Sequence, residues 1–129
     1  MKELPSIQLT IDHSNLVRYA DASGDFNELH TVPQSAIERG HPNVVAHGMY
    51  IMGLATNAIM QWFPDFKFTQ IKVRFQSAVY PGDELTIKGQ WIEKETNIHG
   101  EIEIINNDGQ IKLIGNFEMI KSKVQNLVN

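Results

Sequence analysis

The chain contains no cysteine. That excludes disulfides, thiolate nucleophiles and thiolate metal sites, and it fits a reducing compartment. A surplus of basic charge is also missing: the formal net charge is −4 and the lysines and arginines are scattered. No phosphate-tracking surface for nucleic acid is expected from that balance. Uninterrupted apolar runs of membrane-spanning length are lacking too. The stretch from Val44 to Phe63 comes nearest, but His47, Asn57 and Gln61 interrupt it, and such groups are costly in hydrocarbon. The start, Met1-Lys2-Glu3-Leu4-Pro5, has no charged region followed by an apolar one, so neither a signal peptide nor a membrane contact is expected. The expected location is cytoplasmic. There is no internal repeat, low-complexity tract or linker. What is present, 42% hydrophobic and 20% charged residues over positions 1–129, suits one globular domain with a proper core.

Periodicity divides the chain in two. Ile7-Gln8-Leu9-Thr10-Ile11 alternates as a short strand. Asp12 or Ser14 is placed to cap a helix through Leu16, Val17, Tyr19 and Ala20, which Ser23-Gly24-Asp25 ends. Phe26 to Thr31 is expected as loop, and Pro33 opens a short helix closed near Gly40. A long helix is predicted from about Ala46 to Trp62, apolar nearly all round and therefore buried. At about 1.5 Å per residue it spans roughly 25 Å. Pro64 stops it, and from Phe66 the period changes to two. Ile71, Val73 and Phe75 are predicted on one face, with Lys72, Arg74 and Gln76 on the other. Pro81-Gly82-Asp83 makes a turn, Leu85 and Ile87 resume the alternation, and Ile98, Gly100, Ile102 and Ile104 continue it. Asn106-Asn107-Asp108-Gly109 is a hairpin turn before a last strand of Ile111, Leu113, Gly115, Phe117 and Met119. One buried helix followed by an antiparallel sheet long enough to wrap it is an α+β arrangement.

The chemistry concentrates in Ser23-Gly24-Asp25-Phe26-Asn27-Glu28-Leu29-His30 and in Ala46-His47-Gly48-Met49. The first offers a carboxylate, Asp25, and an imidazole, His30, among turn-forming residues. The second opens the long helix with a glycine. At a helix start the first amides lack intrahelical partners and the dipole favours negative charge, so Gly48 lets an oxyanion approach its N–H. Asn27 and Ser23 read as turn residues bonding loop backbone, with orientation of Asp25 and His30 as the alternative for Asn27; His47 reads as a buried support for the helix start, with direct substrate contact as its alternative. Tyr19 reads as packing. No Gly-x-Ser-x-Gly elbow surrounds Ser23. His13, His30, His41 and His47 have no metal-ligand spacing, so no metal is expected. Lys67, Lys72, Arg74 and Lys88 read as solvated strand charges, with contact to coenzyme A phosphates or an acidic carrier as the alternative.

These residues resemble the MaoC-like family, the (R)-specific enoyl-thioester hydratases and dehydratases. The family pattern runs aromatic, short spacer, Ser-Gly-Asp-x-Asn-Pro-aliphatic-His, then Ala or Ser. Here Tyr19, the stretch from Ser23 to His30, and Ala36 match it, as do Val45-Ala46-His47-Gly48-Met49, Arg74-Phe75 and Val79-Tyr80-Pro81-Gly82-Asp83. Glu28 departs by replacing the family proline, which is expected to loosen the loop and add charge near Asp25. Val32 replaces a frequent aspartate, and Ala22 a larger aliphatic. The resemblance implies a single hot-dog domain, an antiparallel β-sheet wrapped around a long central helix. It also implies hydro-lyase chemistry on 2-enoyl or (R)-3-hydroxyacyl thioesters. Asp25 and His30 would be the catalytic acid–base pair and Gly48 the oxyanion hole, with Asn27, Ser23 and His47 supporting. No cofactor is implied beyond the coenzyme A or acyl carrier protein that carries the substrate. Hot-dog chains resemble one another in pairing, so a homodimer, a higher homo-oligomer or a heterodimer with a second hot-dog chain is expected. Two other readings stand beside this one: a hot-dog acyl thioesterase, against which the lack of any acid between Met49 and Trp62 counts, and a non-catalytic acyl-thioester-binding subunit.

Overall fold

The computed structural model describes residues 1–122; positions 123–129 of the expected domain lie outside the described residues. Two short N-terminal strands, β1 (Lys2–Glu3) and β2 (Ile7–Thr10), precede helix α1 (His13–Ser23). A 3-10 turn at Glu28–His30 and the short helix α2 (Pro33–Glu38) lead to the long helix α3 (Gly48–Trp62). Four long strands follow: β3 (Phe66–Phe75), β4 (Glu84–Lys94), β5 (Asn97–Ile105) and β6 (Ile111–Lys121).

The ends of the helices follow their local chemistry. At the start of α1 the Asn15 side chain accepts from the Asp12 amide at 3.0 Å. A hydrogen bond from the Ser14 hydroxyl holds the exposed Asp12 carboxyl below its ordinary value of 3.8. Gly24 closes the helix in the left-handed region, φ 77°, where glycine has no Cβ penalty. Pro33 is at the start of α2. The long helix begins two residues later than its apolar pattern predicts, and the Ala46 amide before it donates to the Val79 carbonyl (2.8 Å). His47 remains extended.

All sheet pairings are antiparallel, in the order β1-β4-β5-β6-β3, with β2 also on β4. Residues Ile51, Ala55, Ala58 and Ile59 of α3 form one buried stripe, at the i, i+4, i+7, i+8 spacing of a single helix face. They join a core with Leu85, Ile87, Ile98, Ile102, Ile104, Leu113, Phe117 and Met119 from the sheet. Each fully buried isoleucine there contributes about 1.5–3 kcal/mol. Gly89 admits the end of α3: a Cβ on it would lie 2.6 Å from the Trp62 ring. That ring's N–H donates to the Pro5 carbonyl (2.8 Å).

Three sequence expectations are corrected. The helix α3 is not buried all round: Met49 and Met60 are 63% and 54% exposed. The segment expected as loop contains the 3-10 turn, and Glu28 does not loosen it, since its carboxylate accepts from the Ser35 hydroxyl of α2 (2.7 Å). The alternation expected in the last strand fails at its start. A bulge sets both Ile111 and Lys112 opposite Ile105, so Ile111 turns outward and Lys112 is buried with Leu113.

Candidate active site

The stop of α1 and the 3-10 turn bring Asp25 and His30 together. The Asp25 amide donates to Ser23 Oγ (3.2 Å), and one Asp25 oxygen accepts from the Asn27 amide (3.3 Å). The Asn27 side-chain oxygen accepts in turn from the Leu29 amide and from Arg39, both at 3.0 Å. Ser23 and Asn27 therefore hold loop backbone, as expected of them. His30 Nδ1 lies 2.6 Å from the Val45 carbonyl. A carbonyl only accepts, so Nδ1 carries the proton and Nε2 of the neutral ring offers its lone pair. That Nε2 faces Asp25 Oδ2 at 3.9 Å. The gap is too long for a direct hydrogen bond, and one water about 2.8 Å from each group would bridge it.

His47 sits beneath this pair, 2% exposed. Its ring stacks on His30 with centroids 3.8 Å apart, Tyr19 meets it edge-on at 4.8 Å, and its Nε2 donates to the Asp25 carbonyl at 3.1 Å. Nδ1 of His47 is buried without a partner. Beside Tyr19, burial pushes the Tyr50 phenol up, against the opposing pull of Arg18. His47 is also the residue before Gly48, and its side chain does not cap α3. The Gly48 amide, first in the helix, thus has neither an intrahelical acceptor nor a side-chain cap. A cavity of about 310 Å³ opens beside it, lined by Val45, Ile51, Phe75, Ala78 and Val79 among others. Lys67, Lys72, Arg74 and Lys88 are exposed on the strands.

Ligand-type atoms of Asp25, His30 and His47 lie within 4.8 Å of one another, a convergence invisible in the spacing of the histidines. One nitrogen of each ring is hydrogen-bonded to a main-chain carbonyl, which leaves the other for the cluster. Such an arrangement can serve a proton-transferring pair. Sequence reasoning missed Val45, whose carbonyl sets the His30 tautomer; a main-chain acceptor leaves no mark in residue type.

The wrapped helix and antiparallel sheet define a hot-dog domain, and solved structures share it. The ChsH1–ChsH2 complex from Mycobacterium tuberculosis superposes with a TM-score of 0.85 at 21% identity, covering 93% of this chain and 95% of that one. The R-hydratase PhaJ1 from Pseudomonas aeruginosa gives 0.85 at 23% identity, covering 93% and 79%. The chain belongs to the MaoC-like family: the MaoC like domain matches residues 2–113. Among curated relatives, the mouse peroxisomal multifunctional enzyme type 2 is 31% identical over 99 residues, covering 71% of this chain and 14% of the relative. The mitochondrial 3-hydroxyacyl-[acyl-carrier-protein] dehydratase of Arabidopsis thaliana is 37% identical over 67 residues, covering 52% and 40%. The chain therefore spans well under two thirds of the length of these relatives. Among the described residues, no helix is long and apolar enough to cross a membrane.

Proposed function

We propose that this chain, as one MaoC-like domain over residues 1–129, hydrates 2-enoyl thioesters to (R)-3-hydroxyacyl thioesters and catalyses the reverse dehydration, in fatty acid metabolism. The observation that carries this reading is the Asp25–His30 pair, with His30 Nδ1 on the Val45 carbonyl and Nε2 facing Asp25 at 3.9 Å, beside the uncapped start of α3. A water between the two groups adds its oxygen to C3 as its proton passes to His30 Nε2, with Asp25 stabilising the imidazolium. Charge then accumulates on the thioester oxygen, to which the Gly48 amide donates; such a donor is worth about 3 kcal/mol in the transition state. The pair returns one proton to C2 and ends as it began. Water is consumed and no other reactant is needed, so the substrate's coenzyme A or carrier protein serves in place of a cofactor, and no metal takes part. Curated relatives named as dehydratases and hydratases support the same chemistry. Hot-dog thioesterases usually place an acid on the long helix, and the absence of Asp and Glu from Gly48–Trp62 counts against that reading.

The working unit is an assembly, a homodimer, a higher homo-oligomer or a pair with a second hot-dog chain. Exposed Met49, Met60 and Phe75 support it, as does the outer edge of β3, which among the described residues pairs with β6 alone. Two structural neighbours are complexes by name. The proposed location is the cytoplasm, which fractionation tests.

The test follows enoyl absorbance with crotonyl-coenzyme A. The expected outcome is loss of the enoyl signal with (R)-3-hydroxybutyryl product in wild type, a fall of about 10²–10⁴ for His30→Ala and Asp25→Asn, and no change after dialysis against EDTA. Turnover surviving both substitutions would sink the assignment.

A further inference from the structure

Lys112 lies in the bulge of β6, 1% exposed, with no contact to Asp25, His30 or Gly48. Its ammonium donates to the Ala78 carbonyl at 2.6 Å and to Gln110 Oε1 at 2.7 Å, and stands 3.7 Å from Asp83 Oδ2. Asp83, the acid of the Pro-Gly-Asp turn, also accepts from the Tyr80 amide (2.9 Å) and from Asn106 (3.2 Å). A buried ion pair gives little net stability over apolar residues of the same volume, so its presence here calls for another reason. The one ammonium ties together Ala78 and Asp83, the two ends of residues 78–83.

That segment bonds in turn to the stretch 41–48, which leads into α3. The Val79 carbonyl holds the Ala46 amide at 2.8 Å, and the Tyr80 hydroxyl meets His41 Nδ1 at 3.0 Å. Between these two anchors lies Val45, whose carbonyl orients His30, and directly after them come His47 and Gly48. Ala78 and Val79 also line the cavity beside Gly48. We propose that Lys112, through Asp83, Ala78 and the Tyr80–His41 bond, is a positioning residue that sets the Gly48 amide and the His30 ring for the reaction. The inference rests on the hydratase reading for its catalytic consequence and on geometry alone for the coupling.

The experiment compares Lys112→Met in the wild-type and Gly48→Pro backgrounds, using the full chain. Misplacement of a catalytic group by about 1 Å costs about a hundredfold, so kcat with crotonyl-coenzyme A should fall by about ten- to a hundredfold in Lys112→Met while KM stays within about twofold. In the Gly48→Pro background, where the amide is already gone, the Lys112→Met loss should shrink. Independently of activity, exchange of the Ala46 amide should quicken by about tenfold relative to that of Ile102 in β5. A folded Lys112→Met protein with unchanged kcat and unchanged Ala46 exchange overturns the proposal. So does an equal kcat loss in both backgrounds, which marks a merely structural lysine. If wild type turns over no enoyl thioester, the hydratase reading fails, and Ala46 exchange still decides the coupling. If Lys112→Met does not fold, Tyr80→Phe, which deletes only the hydroxyl bonded to His41, is read by the same two measurements with the same outcomes.

Discussion

A proline at position 48 would remove a single hydrogen-bond donor and little else. Gly48 is the first residue of α3, where proline's fixed φ suits the helix and its missing N–H breaks no helical bond. His47 before it is already extended, ψ 133°, as a pre-proline residue prefers. The added Cβ would meet Phe75 at 3.4 Å, close to ordinary contact. Gly48→Pro is therefore expected to lower kcat by about 10²–10³ with the circular dichroism of the fold unchanged; full activity would remove the amide from the mechanism. At this scale the sequence was most legible. Asp25, His30, Asn27 and Gly48 carry their chemistry in residue type and spacing, and turn-formers flag where they meet. Illegible were the contacts made through backbone atoms, as at Val45, and the stacking of His47 on His30, which unites residues 17 apart in the chain.

At the scale of elements, strands were legible wherever alternation holds. Ile98, Gly100, Ile102 and Ile104 all face the core as their period requires. The turn at Asn106–Gly109 was readable because Gly109 must adopt φ 78°, whereas the β4–β5 turn uses Glu95 at φ 60° and so carries no glycine signal. The bulge at Lys112 was unreadable for a related reason. A lysine between apolar neighbours looks like an ordinary outward residue until one extra position slips the register. Gly100 shows how tightly the correct register is set. It pairs directly with Phe117, and a Cβ on it would overlap that ring. Gly100→Ala is expected to destabilise the fold by about 1–3 kcal/mol, measured as a fall in the urea midpoint at constant slope. An unchanged midpoint would mean that Phe117 relaxes at no cost.

For the whole molecule, the apolar excess of α3 is the feature that its own sheet leaves unanswered. Met60, 54% exposed near the helix end and away from the Asp25–His30 pair, belongs to that face. Sedimentation velocity should find wild type as a dimer or larger and Met60→Lys shifted toward monomer; a monomeric wild type would refute the assembly. The strand order has a different consequence, one of time. Consecutive strands β4, β5 and β6 pair as two hairpins, while β3 must reach past them to β6 and β2 must reach back to β4. Local pairings close before distant ones, so residues 84–121 form the first scaffold of a refolding chain. Asp25, His30 and Gly48 all lie upstream of that scaffold and gain their neighbours only when the N-terminal half settles on it. Trp62 in α3 would register that later event, so recovery of activity is expected to follow its signal and not the closing of the hairpins.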